Sequence, residues 1–315
     1  MQELYHIVQK STNSMSAHKD RTSIAIGCCL AAHFMFAIMG TCAKYLAETH
    51  HVAEIAFYRN IIVFIPFFLF MIMRQNRHLF KTDKPKLVAV RAVIGGISLI
   101  VTFAALAQLP MAYATVLFFA SSLLTPALAF FFLKEHVGIH RWSAIFIGMC
   151  GVLVIAQPSG AISLIGLALA LTAAILHSTM YTILRSLRSE SPLTITFYFI
   201  IAGILIPGMF MPWVAKGIIV EEIWIFLLIG FSGGVAQIFL SNAYKYAPAS
   251  LVTPFSYTAL LWTVLIDLYI WGYDLAFVPL VIGASLIISA QLYIIYREYI
   301  NNMKDKNTKG QNQNG

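Results

Sequence analysis

The feature that most constrains this chain is a succession of long apolar runs with almost no polar sequence between them. The runs lie near residues 22–46, 52–73, 87–108, 111–133, 141–157, 162–184, 193–215, 223–244, 249–271 and 275–296. A helix needs roughly 20 apolar residues to cross a bilayer. Charged residues make up only 11% of the chain and hydrophobic residues 59%, which is too little charge to cover a soluble protein of this length. The sequence therefore predicts an all-α transmembrane fold of ten helices.

The placement of basic residues predicts the orientation of the chain. Apart from Lys44, Arg59 and Lys216, all of the 21 lysines and arginines fall in one alternating set of the segments that flank the apolar runs, and Arg91 belongs to this set. Such a positive-inside pattern puts both termini in the cytoplasm of a protein in the inner, cytoplasmic membrane. Because topology explains the net charge of +8, we expect no nucleic-acid partner. The expected partners are the lipid bilayer and a small-molecule substrate.

Short sequence matches between the two halves of the chain indicate an internal duplication. They occur in the same order in both halves, at offsets of 135 to 141 residues, and pair Met39 with Met180, Ile55–Tyr58 with Ile195–Tyr198, Gly95-Gly96 with Gly233-Gly234, and Gly148 with Gly283. Each match alone is weak, but their shared order across five apolar runs is typical of a repeat. We expect five-helix repeats at 22–157 and 162–297, with cytoplasmic tails at 1–21 and 298–315.

An odd number of helices in each repeat has a consequence for topology. The second repeat must enter the membrane from the side opposite to the first, so the two repeats are inverted. Inverted repeats are typical of secondary transporters, which bind their substrate near the middle of the bilayer where the two halves meet. The predicted function is therefore transport of a small organic metabolite across the cytoplasmic membrane by alternating access.

Several motifs resemble one family of such transporters. They are Ala105–Pro110, Lys134-Glu135, Lys44–Leu46, Glu54–Arg59 and His140–Trp142. Together with the five-plus-five duplication, they resemble the EamA branch of the drug/metabolite transporter superfamily over about residues 22–297. The last three motifs are also similar to the S-adenosylmethionine carriers of intracellular bacteria, and comparable segments occur in riboflavin carriers. The resemblance implies S-adenosylmethionine or another amino-acid-like zwitterion as substrate, with an amino acid or drug exporter or a riboflavin-type vitamin transporter as alternatives.

The chain lacks the motifs of common catalytic classes. It has no G-x-x-x-x-G-K-[ST] nucleotide loop, no H-E-x-x-H zinc motif and no G-x-S-x-G nucleophile motif. Its four cysteines form no C-x-x-C pair, which argues against a disulfide or metal role. We therefore predict no enzyme activity, no cofactor and no metal. A passive channel or a non-transporting membrane enzyme remains the alternative of another class.

Arg59 is the leading candidate for substrate binding, because ionisable side chains within a membrane are costly and mark functional positions. It matches Phe199 in the second half, so its charge is not part of the repeated scaffold. Arg59, helped by Lys44, is predicted to bind an anionic group such as a carboxylate. Asp267 is a candidate for the cationic end of a zwitterion. The alternative is an ion pair of Arg59, either with Asp267, which would close an outer gate, or with Glu54.

Five further polar residues are candidates through the family resemblance, which implies that the third, fourth, eighth and ninth helices line the central cavity. These residues are Gln237, Asn242, Tyr113, Ser121 and Tyr257. Their side chains can hydrogen-bond a substrate there. The alternative is ordinary polar packing between membrane helices.

Two histidines near the middle of apolar runs, His33 and His177, are candidates for proton coupling. Histidine titrates near neutral pH, so either residue could link transport to a proton gradient. The alternative is a structural hydrogen bond between helices.

Small residues on the fifth and tenth runs, Gly148, Gly151 and Gly283, allow close approach of helices. They predict either packing within one chain or contact between two copies in a homodimer. The sequence does not separate these two roles.

Overall fold

The computed structural model describes residues 2–73, 81–133, 138–155, 163–187, 190–247, 252–273 and 275–312. Nearly all of these residues lie in helices, and none of them forms a β-strand. The prediction of an all-α fold is confirmed.

The longer helices are numbered in chain order. They are α1 (Gln2–Leu46), α2 (Val52–Met73), α3 (Pro85–Gln108), α4 (Met111–Leu133), α5 (Ile139–Ile155), α6 (Leu164–Ser186), α7 (Pro192–Gly208), α8 (Ile223–Tyr246), α9 (Thr258–Tyr269) and α10 (Phe277–Asn312). One short turn of helix, Met211–Val214, follows α7. The 3₁₀ helices Val220–Glu222 and Thr253–Tyr257 precede α8 and α9.

Local sequence explains where several helices begin. Helices α3 and α7 each start at a proline, Pro85 and Pro192. The fixed φ of proline suits the first helical turn, and its missing N–H is not needed there. Helix α6 is capped by Ser163, whose hydroxyl accepts a hydrogen bond from the Gly166 N–H at 3.2 Å, as serine commonly does before a helix.

Some helices differ in length from the predicted spans. Helix α1 already begins at Gln2 and α10 ends at Asn312, so both continue into the segments predicted as tails. No proline or glycine occurs in residues 2–21, and the polar sequence can therefore continue the helix. The predicted span 193–215 is divided, because α7 ends at Gly208 directly after a proline.

The outer surface of the bundle matches a membrane. Six of the described helices are long and apolar enough to cross a bilayer, and four shorter ones are also apolar. Large apolar side chains point outward, among them Phe146, Leu153 and Leu205, which are 72%, 66% and 62% exposed. An apolar surface of this extent is unfavourable in water but not among lipid tails. Each predicted span overlaps one of these helices.

Helices from the two halves of the sequence lie side by side in the bundle. Helix α1 packs along α8, α3 packs along α6 and α7, α5 packs along α10, and α2 contacts α7 and α8. The buried centre contains many alanines, including Ala43, Ala105, Ala120 and Ala170. Small side chains let membrane helices approach closely, so backbone packing stabilises the bundle.

Glycines make the contact between α5 and α10 especially close. A Cβ atom on Gly151 would lie 2.7 Å from the carbonyl oxygen of Gly283, and a Cβ on Gly283 would lie equally close to Gly151. Gly148 faces the side chain of Leu123 on α4 in a similar way. These glycines are therefore used for packing within one chain.

The bundle has two ends, which we name by one residue each. The His50 end carries the loop 47–51, the α3–α4 turn at 109–110 and the segment 209–222. The Glu190 end carries residues 81–84 and Glu190 itself.

Candidate functional site

A groove of about 1110 Å³ lies between α2, α7 and α8. Its wall is largely apolar and includes Phe199, Trp224 and Phe231. The polar lining residues are Arg59, Thr196, Gln237, Ser241 and Asn242. Among the lining residues that the structure describes none is acidic, so Arg59 gives the groove a positive charge. A site of this kind suits a molecule with an apolar body and an anionic group.

The Arg59 side chain is buried but incompletely paired. Only 2% of the residue is exposed, and its Nη1 donates a hydrogen bond to Asn60 Oδ1 at 2.9 Å. Its Nε has no hydrogen-bond partner, and no carboxylate lies within 4.0 Å of the guanidinium, in the described part of the chain. Because an unpaired buried charge is costly, an anionic ligand would stabilise this side chain.

Asn60 fixes the oxygen that Arg59 contacts. Its amide nitrogen donates hydrogen bonds to the carbonyl oxygens of Ala56 at 2.8 Å and Gly203 at 2.9 Å. Since the amide nitrogen can only donate and the oxygen can only accept, these bonds leave Oδ1 facing the guanidinium. Asn60 therefore orients Arg59 and also links α2 to α7.

Gly233 of α8 makes room for the guanidinium. A Cβ atom at this position would lie 2.8 Å from Arg59 Nη2 and 2.8 Å from the sulfur of Met39. An alanine would therefore displace the arginine. The absence of a side chain lets the guanidinium lie against the backbone of α8, near the middle of that helix.

Gly95 of α3 has matching contacts in the other half of the bundle. A Cβ atom there would lie 2.7 Å from the ring of Phe199 and 3.5 Å from the sulfur of Met180. The sequence matches pair these three residues with Gly233, Arg59 and Met39. The two contacts thus have the same arrangement, with a phenyl ring in place of the guanidinium.

Lys44 lies at the His50 end and bonds to the backbone. Its Nζ donates hydrogen bonds to the carbonyl oxygens of Leu106 at 2.9 Å and Leu109 at 2.5 Å, at the C-terminal end of α3. The same nitrogen lies 5.6 Å and 5.2 Å from the ring centres of Trp271 and Tyr273. A cation is favourable at the C-terminus of a helix. Lys44 therefore fixes the end of α3, and its predicted help to Arg59 stays a prediction.

Asp267 holds the beginning of α4 at the same end. Its two carboxylate oxygens accept hydrogen bonds from the N–H groups of Met111 at 3.0 Å and Ala112 at 2.7 Å. The first N–H groups of a helix lack partners within the helix and favour a negative charge. Asp267 is fully buried, and in this structure it contacts these amides instead of Arg59. Its predicted role in substrate binding stays a prediction.

A buried histidine lies between two carboxylates at the His50 end. His50 Nδ1 is 3.1 Å from Glu54 Oε2, and Nε2 is 2.5 Å from Glu222 Oε2. Burial alone would lower the pKa of His50, but hydrogen bonds and charge attraction from the two carboxylates outweigh it, and the pKa lies above its ordinary value of 6.5. The imidazolium form can donate to both carboxylates at once. His50 therefore joins the α1–α2 loop to the start of α8.

The same cluster also binds the loop before α8. Glu54 accepts hydrogen bonds from the N–H groups of Lys216 at 3.2 Å and Gly217 at 3.1 Å. Lys216 Nζ donates to the carbonyl oxygen of Thr49 at 2.7 Å, and the Thr49 hydroxyl donates to Glu222 at 3.0 Å. Bonds between loops that are distant in sequence therefore close this end of the bundle.

The Glu190 end has a smaller set of contacts. Glu190 accepts a hydrogen bond from the N–H of Asp83 at 3.2 Å, and Lys84 Nζ donates to the carbonyl oxygen of Ser186 at 2.8 Å. A carboxylate thus binds a loop amide here, as Glu54 does at the other end.

Two of the predicted polar residues, Gln237 and Asn242, line the groove on α8. Both lie C-terminal to Gly233 on α8, in the part of the helix where Ser241 also lines the groove. Their predicted role in substrate binding is compatible with this position and stays a prediction.

The other three predicted polar residues do not line the groove. The Tyr113 hydroxyl donates a hydrogen bond to the carbonyl oxygen of Ala276 at 3.2 Å. The Tyr257 hydroxyl donates to the side chain of Gln291, and Ser121 is buried within α4. These contacts are those of packed helices, and a role in binding substrate stays a prediction.

The two histidines predicted for proton coupling have simple local contacts. His33 Nδ1 lies 2.8 Å from the carbonyl oxygen of Cys29, one turn earlier in α1. His177 Nε2 lies 3.4 Å from the hydroxyl of Thr102, and its ring packs edge-on against Phe118. Proton coupling at either histidine stays a prediction.

The sequence interpretation missed Asn60 and the His50 cluster. A signal existed for both: Asn60 is adjacent to Arg59, and His50 and Glu54 are four residues apart, a spacing at which side chains on a helix meet. Glu222 lies 172 residues from His50, and no local pattern indicates that pairing.

Comparison with known proteins agrees with these observations. The model of the EamA-like transporter family matches residues 23–157 and again residues 164–296. The S-adenosylmethionine uptake transporter of Rickettsia prowazekii is 27% identical over 81% of this chain and 87% of its own length. The riboflavin transporter of Rhizobium johnstonii is 33% identical over 78% of this chain and 82% of its own length. One solved crystal structure, 17% identical, covers 86% of this chain and 95% of its own with a TM-score of 0.60, which indicates a shared fold.

Proposed function

The chain belongs to the EamA-like transporter family, and we propose that this multi-pass membrane transporter carries a small organic metabolite that bears a carboxylate. In this proposal the groove between α2, α7 and α8 holds the metabolite, and Arg59 binds its carboxylate. Transport proceeds by alternating access, in which the groove opens to one side of the membrane at a time.

The buried guanidinium of Arg59 is the observation that carries the proposal. It lies in the groove, Asn60 orients it, and its Nε has no partner among the described residues. Arginine can bind a carboxylate through two parallel hydrogen bonds. Charges also attract each other more strongly in apolar surroundings than in water. A carboxylate in the groove would therefore gain binding energy by neutralising Arg59.

The rest of the groove fits a zwitterion that carries a ring. Phe199, Phe231 and Trp224 offer apolar faces for an aromatic base, and the side-chain oxygens of Gln237 and Asn242 suit a cationic centre. S-adenosylmethionine has a carboxylate, a sulfonium and an adenine ring, and another amino-acid-like zwitterion shares part of this chemistry. The relative from Rickettsia prowazekii supports the choice. We assign the cationic end to the amides because Asp267 does not line the groove.

Riboflavin is the second candidate substrate. The relative from Rhizobium johnstonii is 33% identical, and the apolar wall of the groove also suits a flavin ring. Riboflavin has no carboxylate, so its binding would not depend on Arg59. A test of Arg59 therefore separates the two candidates.

Two observations support inverted repeats at 22–157 and 162–297. The family model matches the chain twice, once in each half. Gly95 and Gly233 make equivalent contacts, and the residues that they contact correspond to each other in the sequence matches. Five helices in each repeat would reverse the direction of the second repeat, as in many transporters that work by alternating access.

We assign the His50 end to the outside of the inner membrane and both termini to the cytoplasm. The Glu190 end carries basic residues such as Lys81, Lys84 and Lys86, and basic loops favour the cytoplasmic side. In this proposed orientation, the contacts of the His50 cluster would close the outer side of the transporter.

Counterflow in proteoliposomes tests the proposed function. Vesicles preloaded with unlabelled S-adenosylmethionine, an amino acid mixture or riboflavin are exposed to the labelled compound. We expect saturable counterflow of S-adenosylmethionine, and a loss of transport efficiency on the order of 100-fold in Arg59→Gln, because removal of one partner from a buried charge pair costs several kcal/mol. The matched control, Lys86→Gln, removes an exposed charge and should transport as the wild type does.

Two results would contradict the proposal. Arg59→Gln protein that inserts normally and transports S-adenosylmethionine at the wild-type rate would exclude Arg59 as the carboxylate site. Flux that rises linearly with concentration and shows no counterflow would identify a passive channel.

A further inference from the structure

Arg91 of α3 is a second arginine, half-buried, that the proposed function leaves unused. Its Nε and Nη1 atoms are buried and have no hydrogen-bond partner among the residues that the structure describes. The guanidinium carbon lies 5.0 Å from the ring centre of Phe199 on α7. The sequence pattern places Arg91 with the basic flanking residues, whereas in the structure its side chain packs between helices.

The position of Arg91 differs from that of an arginine that simply reaches for water. Arg91 lies in the second turn of α3, from which a long side chain can extend to the membrane surface. The N–H groups of such a side chain would be solvated. Here two of the three guanidinium nitrogens, Nε and Nη1, each expose less than 1 Å², and the guanidinium lies over an aromatic ring. Contact with the ring compensates only part of the cost of a buried charge.

Phe199 connects Arg91 to the groove. Its ring lines the groove and also carries the Arg91 guanidinium on one face. Phe199 is the sequence counterpart of Arg59. Both arginines belong to the first half of the sequence, and each lies near one of the matched glycines: Arg59 contacts Gly233, and Arg91 lies one helical turn from Gly95.

We propose that Arg91 forms a second anion-binding site, on the cytoplasmic side of the groove, which takes the substrate carboxylate after Arg59. This inference rests on the proposed function, because both sites require a substrate with a carboxylate. A change in the side-chain rotamer of Phe199 would open Arg91 to the groove. Arg59 then serves the outward-facing state and Arg91 the inward-facing state, with Phe199 between Arg91 and the groove.

Sided transport kinetics test the role of Arg91. In proteoliposomes with one protein orientation, the external half-saturation constant for S-adenosylmethionine is measured by uptake. The internal constant is measured by the stimulation of uptake with unlabelled S-adenosylmethionine inside. We expect Arg91→Gln to raise the internal constant on the order of tenfold, the effect of one lost charge-assisted contact, and to leave the external constant unchanged. Lys86→Gln, an exposed cation on the same helix, should change neither.

Wild-type constants on both sides in Arg91→Gln would overturn the inference. If that variant does not insert, Arg91→Lys replaces it, because lysine keeps a cation near Phe199 but lacks the bidentate fork of arginine. Arg91→Lys should raise the internal constant alone, and a wild-type internal constant would again overturn the inference. Failure of the proposed function would give a different result. Arg59→Gln would then transport S-adenosylmethionine like the wild type, and the proposed Arg91 site would be rejected together with the Arg59 site.

Discussion

Buried charges have partners at the His50 end, whereas the buried charge in the groove lacks a partner of opposite charge in the part of the chain that the structure describes. At the His50 end, His50 lies between two carboxylates, Lys44 binds helix carbonyls and Asp267 binds helix amides. In the groove, Arg59 is equally buried but faces no carboxylate among the described residues. The first region is complete without a ligand, whereas the second is not.

We propose that this difference separates residues that hold a conformation from residues that bind substrate. A buried charge with all its partners fixes the elements it joins, and removing one partner destabilises them. A buried charge without a partner gains most from a ligand of opposite charge. We therefore expect substitutions at the His50 end to change stability or the closing of that end, and substitutions around Arg59 to change affinity.

The largest effect is expected for Asn60→Asp. The new carboxylate would lie next to the Arg59 guanidinium and would compete with the carboxylate of the substrate, and the hydrogen bonds from the Asn60 amide to Ala56 and Gly203 would also be lost. The half-saturation constant for S-adenosylmethionine should rise on the order of 100-fold, the scale of a buried charge pair. Uptake kinetics in proteoliposomes measure this. Asn242→Asp adds a carboxylate elsewhere in the groove and should have a much smaller effect. A wild-type half-saturation constant in Asn60→Asp would contradict the proposed difference between the groove and the His50 end.

A smaller effect, on stability, is expected for Asp267→Asn. One side-chain N–H₂ group would then face a backbone N–H of Met111 or Ala112, so one buried hydrogen bond would be lost at a cost of about 1–3 kcal/mol. Thermal unfolding in detergent should show a lower midpoint, while the half-saturation constant of the folded protein stays the same. Glu221→Gln, an exposed carboxylate at the same end, is the matched control. An unchanged midpoint together with weaker substrate binding would move Asp267 into the binding site.

The smallest effect concerns the pH dependence of the closed His50 end. Because the pKa of His50 is raised in this structure, its stabilising contribution is fully present below its ordinary pKa and is lost as the pH rises through the raised value. Hydrogen exchange of residues 215–219, corrected for the intrinsic rate, should become faster over that range. His50→Gln should abolish this step, and His51→Gln, an exposed neighbour, should keep it. If His50→Gln shows the same rise in exchange rate with pH, another titrating group is responsible for it.

The helical fold could be predicted from the sequence, and so could the choice of Arg59 as a candidate, which the structure places in the groove. Apolar runs predict helices because a membrane leaves the backbone few other ways to pair its polar groups, and the family assignment confirms the predicted resemblance. Arg59 was predictable because a charge inside an apolar run is rare. The matched glycines, Gly95 and Gly233, were also visible as a repeat, although their contacts with Phe199 and Arg59 were not.

The partners of the other charged residues could not be predicted, for physical reasons. Lys44 and Asp267 bind backbone groups, and every residue offers such groups. Glu222 meets His50 across 172 residues of sequence, so only the folded chain brings them together. Arg91 follows a basic segment in sequence, and its burial depends on the position of Phe199 on another helix.

The most direct test of the central claim compares two substrates in two proteins. S-adenosylmethionine and its decarboxylated form differ only in the carboxylate assigned to Arg59, so their half-saturation constants in wild type and Arg59→Gln form a double cycle. We predict that the wild type prefers S-adenosylmethionine on the order of 10-fold or more, and that Arg59→Gln has almost no preference. An equal preference for S-adenosylmethionine in both proteins would contradict the assignment of the groove arginine to the carboxylate.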